Sequence, residues 1–364
     1  MAEKLRRRVR AKLLSGVARA AGVLPPRCVE FALASASPLV AFTRAERTTR
    51  ENLAHAELVP GRALEDAERD RIARGVRRHG ARLVANWLRL ARRGAPDDAR
   101  SAWIDAEVAL DASIEHLERA RRDGRGILIV TAHLGDWELL CARLHRLGLR
   151  GAVVGFERPN DSTSRWLERM RAGYGVTTLP QHTSARELLR ILRGGGTLGL
   201  LCDLEVRRLD GAFLPFLGVP ALTMTAPAAL ARAADLPLLP ARCTWDGARW
   251  NLAFEAPLAL DPALDKEAAQ LDLLARMNAT YERWIRATPE QWAWHQRRWR
   301  TRPGEVDALP LVEQRRRERE RRLAQGKEVA PKPEASAPDL PRTASDVGAR
   351  SERDERAARR DDST

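Results

Sequence analysis

The chain has 364 residues, with 63 Lys plus Arg against 49 Asp plus Glu and a formal charge of +14. That length supports a large core in one or two domains. The four cysteines, Cys28, Cys141, Cys202 and Cys243, are too scattered for a zinc site or a disulfide framework, and no apolar run reaches the ~18 residues of a spanning helix.

From the amino end, Leu5, Val9, Leu13 and Val17 recur every fourth position, with Arg6, Arg7, Arg8, Arg10 and Lys12 on other faces. This predicts a basic amphipathic helix over 3–21 that can lie in an anionic membrane surface. Arg19 interrupts any signal-like apolar core. Val29 to Phe42 is mostly apolar and too short to span, suited to docking on the core or dipping into the interface. Residues 44–94 read as two or more helices. Leu110, Ile114 and Leu117 continue helical spacing through 97–120.

From 126 the pattern alternates. Strands are predicted over 127–131, 152–156, 197–202, 236–244 and 249–255, and helices over 136–147, 162–173, 183–193, 223–234 and 266–287. This order implies an α/β fold with a central mixed, mostly parallel sheet flanked by helices. The helical part is predicted over 44–122 and the α/β core over 123–305, with a membrane-associating segment over 1–43. Residues 306–364 are charged and poor in large apolar groups, so a mostly disordered tail is expected there.

Chemistry concentrates in four segments. In Ile127-Leu-Ile-Val-Thr-Ala-His133-Leu-Gly135-Asp-Trp137-Glu138, a buried strand ends at a histidine, a glycine turns the chain and a helix opens. Open α/β sheets bind ligands at that edge. Glu138, five positions on, is expected to fold back on one imidazole nitrogen and leave the other to take a proton from a hydroxyl. The second segment, Phe156-Glu-Arg158-Pro-Asn160-Asp161, follows the next strand, where a guanidinium suits a phosphate, a carboxylate or a developing oxyanion. The third ends a strand in Cys202-Asp203 and continues as an apolar loop from Gly211 to Thr223, with Asp203 either an active-site group or a loop cap. The fourth, Pro289 to Arg300, interleaves Trp with Arg and suggests cation–π stacking, lipid head groups or nucleic acid. His295 in it reads as structural.

Taken together, these residues resemble the lipid A biosynthesis lauroyl/myristoyl acyltransferases, or late acyltransferases, within the wider lysophospholipid acyltransferase-like group. His133-Leu-Gly-Asp-Trp-Glu138 resembles the family's His-x-Gly-Asn-Trp-Glu block, and Arg158-Pro-Asn-Asp161 the block after the next strand. Asp203 with Phe213 to Thr223 resembles a Pro-Asp-Gln block and its sequel. Trp292 to Arg298 resembles a closing Trp-x-x-His-x-Arg block, and Arg50 with Asn52-Leu53 an early Arg-x-Asn-Leu element. The resemblance spans roughly 40–303. Asp136 stands where Asn is usual, and Cys202-Asp203-Leu204 where Pro-Asp-Gln is usual.

The resemblance implies transfer of a fatty acyl group from an acyl carrier protein or CoA thioester to a hydroxyl of a membrane glycolipid, a lipid A precursor first. His133 and Glu138 are then the catalytic dyad, and Gly135, Trp137, Arg158, Asn160 and Asp203 the substrate-binding residues. No metal or cofactor is implied, and no nucleic acid. The basic charge would serve an acidic carrier protein and an anionic membrane surface, with the protein peripheral or shallowly inserted at the cytoplasmic face of the inner membrane. The rival readings are an acyltransferase for another phospholipid or glycolipid, and a non-enzymatic basic membrane- or nucleic-acid-binding protein resting on the charge and the Trp/Arg segment.

Overall fold

Ile127–Thr131 (β2) is buried at every position, as a central strand covered on both faces must be. The computed structural model describes residues 26–91, 101–155, 162–205 and 211–303. All belong to one unit, Met1–Lys327. The stripe over 3–21, the segment holding Arg158 and Asn160, and the tail over 306–364 lie outside the described residues.

The remaining strands are Val108–Leu110 (β1), Gly151–Gly155 (β3), Thr177–Pro180 (β4), Thr197–Leu201 (β5), Gly211–Phe216 (β6), Val219–Met224 (β7), Leu238–Trp245 (β8) and Trp250–Phe254 (β9). Among the described residues they form a seven-stranded sheet in the order β1-β9-β8-β2-β5-β3-β4, with β6 and β7 as a separate hairpin. Every pairing in the large sheet is parallel except β8 with β9. The α/β expectation is therefore met. β2 lies between β8 and β5, and its last residue, Thr131, is in register with Leu201.

Four expectations change. Leu110 closes β1, paired with Leu252, instead of continuing a helix. β4 was not expected at all. The segment read as an apolar loop is the β6–β7 hairpin, whose turn residues Leu217 and Gly218 have φ of 49° and 75°. Two positive φ values match the twist of a two-residue hairpin; Leu-Gly lacks the Asn-Gly signature that announces one. Part of β7 also occupies the start of the predicted helix 223–234, so that helix begins at Ala226.

The amino-terminal helices are Pro26–Ala36 (α1), Arg44–His55 (α2) and Asp66–Leu90 (α3), with a 3-10 turn over Ser37–Phe42. In α1, Val29 and Leu33 pack on Ala85 and Leu88 of α3, while Phe31, Leu39 and Phe42 are 74%, 73% and 92% exposed. The segment thus docks on the core and still presents apolar surface.

Asn52 of α2 ties this layer to the closing segment. Its Nδ2 donates to the carbonyls of Trp294 at 2.8 Å and Gln296 at 2.7 Å. Asn52→Asp replaces two donors with acceptors facing two carbonyls, that of Trp294 buried. We expect a loss of about 2–4 kcal/mol, read as a lowered urea midpoint; an unchanged midpoint would refute the tie.

Candidate active site

His133 stands two residues past the end of β2, and Asp203 two residues past the end of β5. Because Thr131 and Leu201 are paired, the two side chains emerge side by side at the carboxyl edge. Asp203 is fully buried. One of its oxygens lies 2.8 Å from Nδ1 of His133; the other accepts the His133 backbone N–H at 2.9 Å and the Trp292 indole N–H at 2.7 Å. Burial by itself raises the Asp203 pKa, but the charge of His133 and these donors outweigh it and hold the carboxyl below its ordinary value. An ionised carboxylate only accepts, so Nδ1 donates to it, and in the neutral ring Nε2 is the nitrogen left with a lone pair. Nε2 has no hydrogen-bond partner among the described residues, and the His133 side chain is 23% exposed.

The turn after His133 is fixed from two sides. Gly135 has φ +63°, and a Cβ on it would sit 1.9 Å from the Cys243 carbonyl oxygen. Its N–H donates to Gln291 O, the Asp136 N–H to Cys243 O, and the Ala293 N–H to His133 O. Nε2–H of buried His79 donates to Gly135 O at 3.2 Å, and desolvation lowers the His79 pKa to about 4, so that ring stays neutral. Gly135, expected to bind substrate, is thus required by the backbone. Trp137, also expected there, sets its ring edge-to-face with the His133 imidazole at 5.1 Å.

The expected return of Glu138 to the imidazole is not what the structure has. Glu138 opens the helix Trp137–Arg146 (α6) and is buried. Its carboxylate accepts from Arg171 Nε at 2.9 Å, from Arg171 Nη2 at 2.5 Å and from Tyr174 Oη at 2.6 Å. Among the described residues no hydrogen bond joins it to His133. The reason is directional: one turn into a helix packed on the sheet, the side chain meets the guanidinium and phenol of the helix Ser162–Gly173 (α7) and its sequel. Asp203 takes Nδ1 instead. Expected to contact substrate, it is spent inside the protein.

Much of the Trp/Arg segment is also internal, with His295, Gln296, Arg297 and Arg300 exposed. Trp292, Trp294, Trp299 and Arg298 are buried. Arg298 donates to Leu222 O at 2.6 Å and Thr223 Oγ1 at 2.8 Å and stacks on Phe216 at 4.5 Å. Phe216 packs on Trp292 at 5.7 Å. Cation–π stacking is present, and these indoles are packed inside the protein. Sequence reasoning missed Arg171 and Tyr174, which no motif announces. Trp292 was visible only as a member of its block.

Asp136 caps α6 through the Leu139 N–H at 3.0 Å and accepts from Asn86 at 2.9 Å and Trp87 at 3.0 Å. Burial raises its pKa to about 6 against these hydrogen bonds, helped by the charge of Glu138. A carboxyl whose folded pKa is raised is most favourable to the fold at low pH, and stability falls as pH rises from about 4 to about 6, by roughly 3 kcal/mol. Asp136→Asn, with the Asn86 amide rotated to offer its oxygen, keeps the cap without the charge. Urea midpoints should show the variant more stable than the parent at pH 8 and the pH 4–6 slope reduced. Equal stability at pH 8 would show Asp136 to be solvated there.

With this geometry in hand, similarity to known proteins becomes specific. The family model for bacterial lipid A biosynthesis acyltransferases matches residues 3–301. The chain is similar to the lipid A biosynthesis lauroyltransferase of Escherichia coli (strain K12), 28% identical over 209 residues, covering 55% of this chain and 66% of the relative. It is also similar to the lipid A biosynthesis palmitoleoyltransferase of the same strain, 28% identical over 269 residues and covering 71% and 80%. A phosphatidylinositol mannoside acyltransferase of Mycobacterium tuberculosis (strain ATCC 25618 / H37Rv) is 27% identical over 191 residues, covering 51% and 58%. The match to the lauroyltransferase spans just under two thirds of that relative's length. Blocks from α2 to the closing segment, assembled around one histidine, go with a match over nearly the whole chain: the protein belongs to the bacterial lipid A biosynthesis acyltransferase family.

Proposed function

We propose that this protein is an O-acyltransferase that moves a fatty acyl group from an acyl carrier protein or CoA thioester to a hydroxyl of a membrane glycolipid, a lipid A precursor first. The observation that carries the reading is the His133 imidazole at the sheet edge, with Nδ1 held by buried Asp203 and Nε2 unbonded.

In this reading the acceptor hydroxyl gives its proton to Nε2 as its oxygen attacks the thioester carbonyl. Asp203 balances the imidazolium that forms. The tetrahedral intermediate collapses, the C–S bond breaks, and the imidazolium returns its proton to the leaving thiolate. No acyl-enzyme is needed. Cys202, beside Asp203, is fully buried, and desolvation raises its thiol well above the ordinary value, so it suits a core role better than a nucleophile's. Glu138, bound to Arg171 and Tyr174, serves by anchoring the first turn of α6 and with it Trp137. Arg158 and Asn160 are assigned to the acceptor or the oxyanion on the resemblance alone. Similarity to a phosphatidylinositol mannoside acyltransferase keeps a different glycolipid acceptor as the alternative.

His133→Ala should lower acyl transfer by about 10²–10⁴ with the fold intact. Asp203→Asn should fall in the same range, whereas Glu138→Gln should act mainly on stability, because it leaves Arg171 buried beside a neutral amide. Transfer from acyl carrier protein and acyl-CoA to a lipid A precursor, followed by mass spectrometry, decides. Wild-type turnover in His133→Ala would sink the base role; no product from either donor would sink the acceptor.

We also propose a peripheral attachment to an anionic membrane. No helix of the described residues is long and apolar enough to cross one. Exposed Phe31, Leu39 and Phe42 stand beside exposed Arg27, Arg44 and Arg47, a pairing of apolar contact and basic charge that suits interfacial binding. High salt and carbonate together should release the protein from membranes, and a chain starting at residue 43 should bind less tightly. Full-length protein that needs detergent for release would mean deeper insertion.

A further inference from the structure

Arg298 is fully buried, and no carboxylate pairs with it among the described residues. Its two terminal nitrogens reach a carbonyl and a hydroxyl, Leu222 O and Thr223 Oγ1, and its Nε has no partner. Thr223 Oγ1 also accepts from Asn278 at 3.1 Å, which fixes it from the other side. Two neutral acceptors make a poor environment for a desolvated cation. Its planar face lies on Phe216, Phe216 packs on Trp292, and Trp292 donates to Asp203. A buried cation and a buried anion therefore share one aromatic wall. Burial lowers the Arg298 pKa to about 10, opposed by the charges of Asp203 and then Glu205.

We propose that Arg298 is the countercharge of Asp203 and a positioning residue for the base, keeping the His133 imidazole unprotonated while Asp203 holds its orientation. This rests on the general-base reading of His133. A carboxylate at Nδ1 by itself favours imidazolium, which cannot accept a proton. A cation in the same low-dielectric core opposes that charge without touching the ring, so the carboxylate can orient the imidazole and still leave it basic.

Other charged groups border this core. Glu205 follows Asp203 and accepts from the N–H and hydroxyl of Thr301 at 2.8 and 2.6 Å. His295, on the closing segment, has its pKa lowered by desolvation first and then by the charge of His133. Asp136 and Glu138 stand on α6, the latter paired with Arg171. His79 lies behind the turn and is neutral. Arg298 differs from all of these in being a buried cation linked to Asp203 through a wall of rings.

The test uses the full chain with Arg298→Met, which removes the charge, and Arg298→Lys, which keeps it. The imidazole of His133 is titrated by NMR on histidine-labelled protein, its signal assigned by its loss in His133→Ala, beside the pH profile of kcat/KM for acyl transfer. In Arg298→Met the titration midpoint and the acid limb of the profile should move upward together by about one pH unit, with little change in KM; Arg298→Lys should leave both in place. A folded Arg298→Met with the parental titration overturns the proposal.

Where Arg298→Met does not fold, the double variant with Asp203→Asn restores neutrality and should fold with a higher thermal midpoint than Arg298→Met alone. A double variant no more stable overturns the proposal as well. The titration is read without substrate. Retained turnover in His133→Ala would therefore remove the base reading while leaving the charge pairing separately measurable.

Discussion

The carboxylate of Asp203 is the point on which the site depends. It is fully buried and accepts three hydrogen bonds, from the His133 backbone, the His133 ring and the Trp292 indole. An ionised group so far from water persists only if its lone pairs are satisfied. The donors come from two distant parts of the chain: the edge of β2 supplies two and the closing segment one. The carboxylate therefore fastens β5, the turn that carries His133 and the closing segment together while it orients the ring.

The surroundings of the imidazole are organised to limit its freedom without closing its outer nitrogen. The Gly135 turn is hemmed in by the Cys243 carbonyl and bridged to Gln291 and Ala293, so the backbone carrying His133 has little room to shift. Trp137 meets the ring edge-on and in turn meets Trp87, whose indole donates to Asp136. Several of these contacts come from α3 and the closing segment, far from His133 in sequence. Such cross-linking restricts the positions the imidazole can take.

Two carboxylates at the start of α6, Asp136 at its cap and Glu138 in its first turn, have different fates. Asp136 has neutral donors around it, and burial raises its pKa to about 6. Glu138 has a guanidinium and a phenol, and its pairing with Arg171 raises the Arg171 pKa even though burial acts to lower it. Partner charge separates a costly group from a paired one two residues away. The contrast also explains why Glu138 is engaged away from the imidazole: Arg171 is a stronger partner for a buried carboxylate than a neutral ring would be.

By itself the sequence determined the alternation of strands and helices after 126, the histidine at the end of a buried strand, the glycine turn and the ordered blocks that mark the family. These are local signals: β-branched runs, helical spacing, a glycine followed by a helix start. Which carboxylate meets the imidazole was a different matter. Spacing favoured Glu138, five residues on, while Asp203 lay 70 residues away at the end of another strand. Only the sheet order, which sets β5 beside β2 with Thr131 opposite Leu201, brings Asp203 to Nδ1. The same holds for the Trp/Arg segment. Its composition suits a surface or a core equally well, and packing against Phe216 and the β6–β7 hairpin put it inside. Hydrophobic periodicity is encoded within a few residues, whereas strand adjacency and the burial of a charge depend on contacts between segments far apart in the chain, which no local pattern specifies.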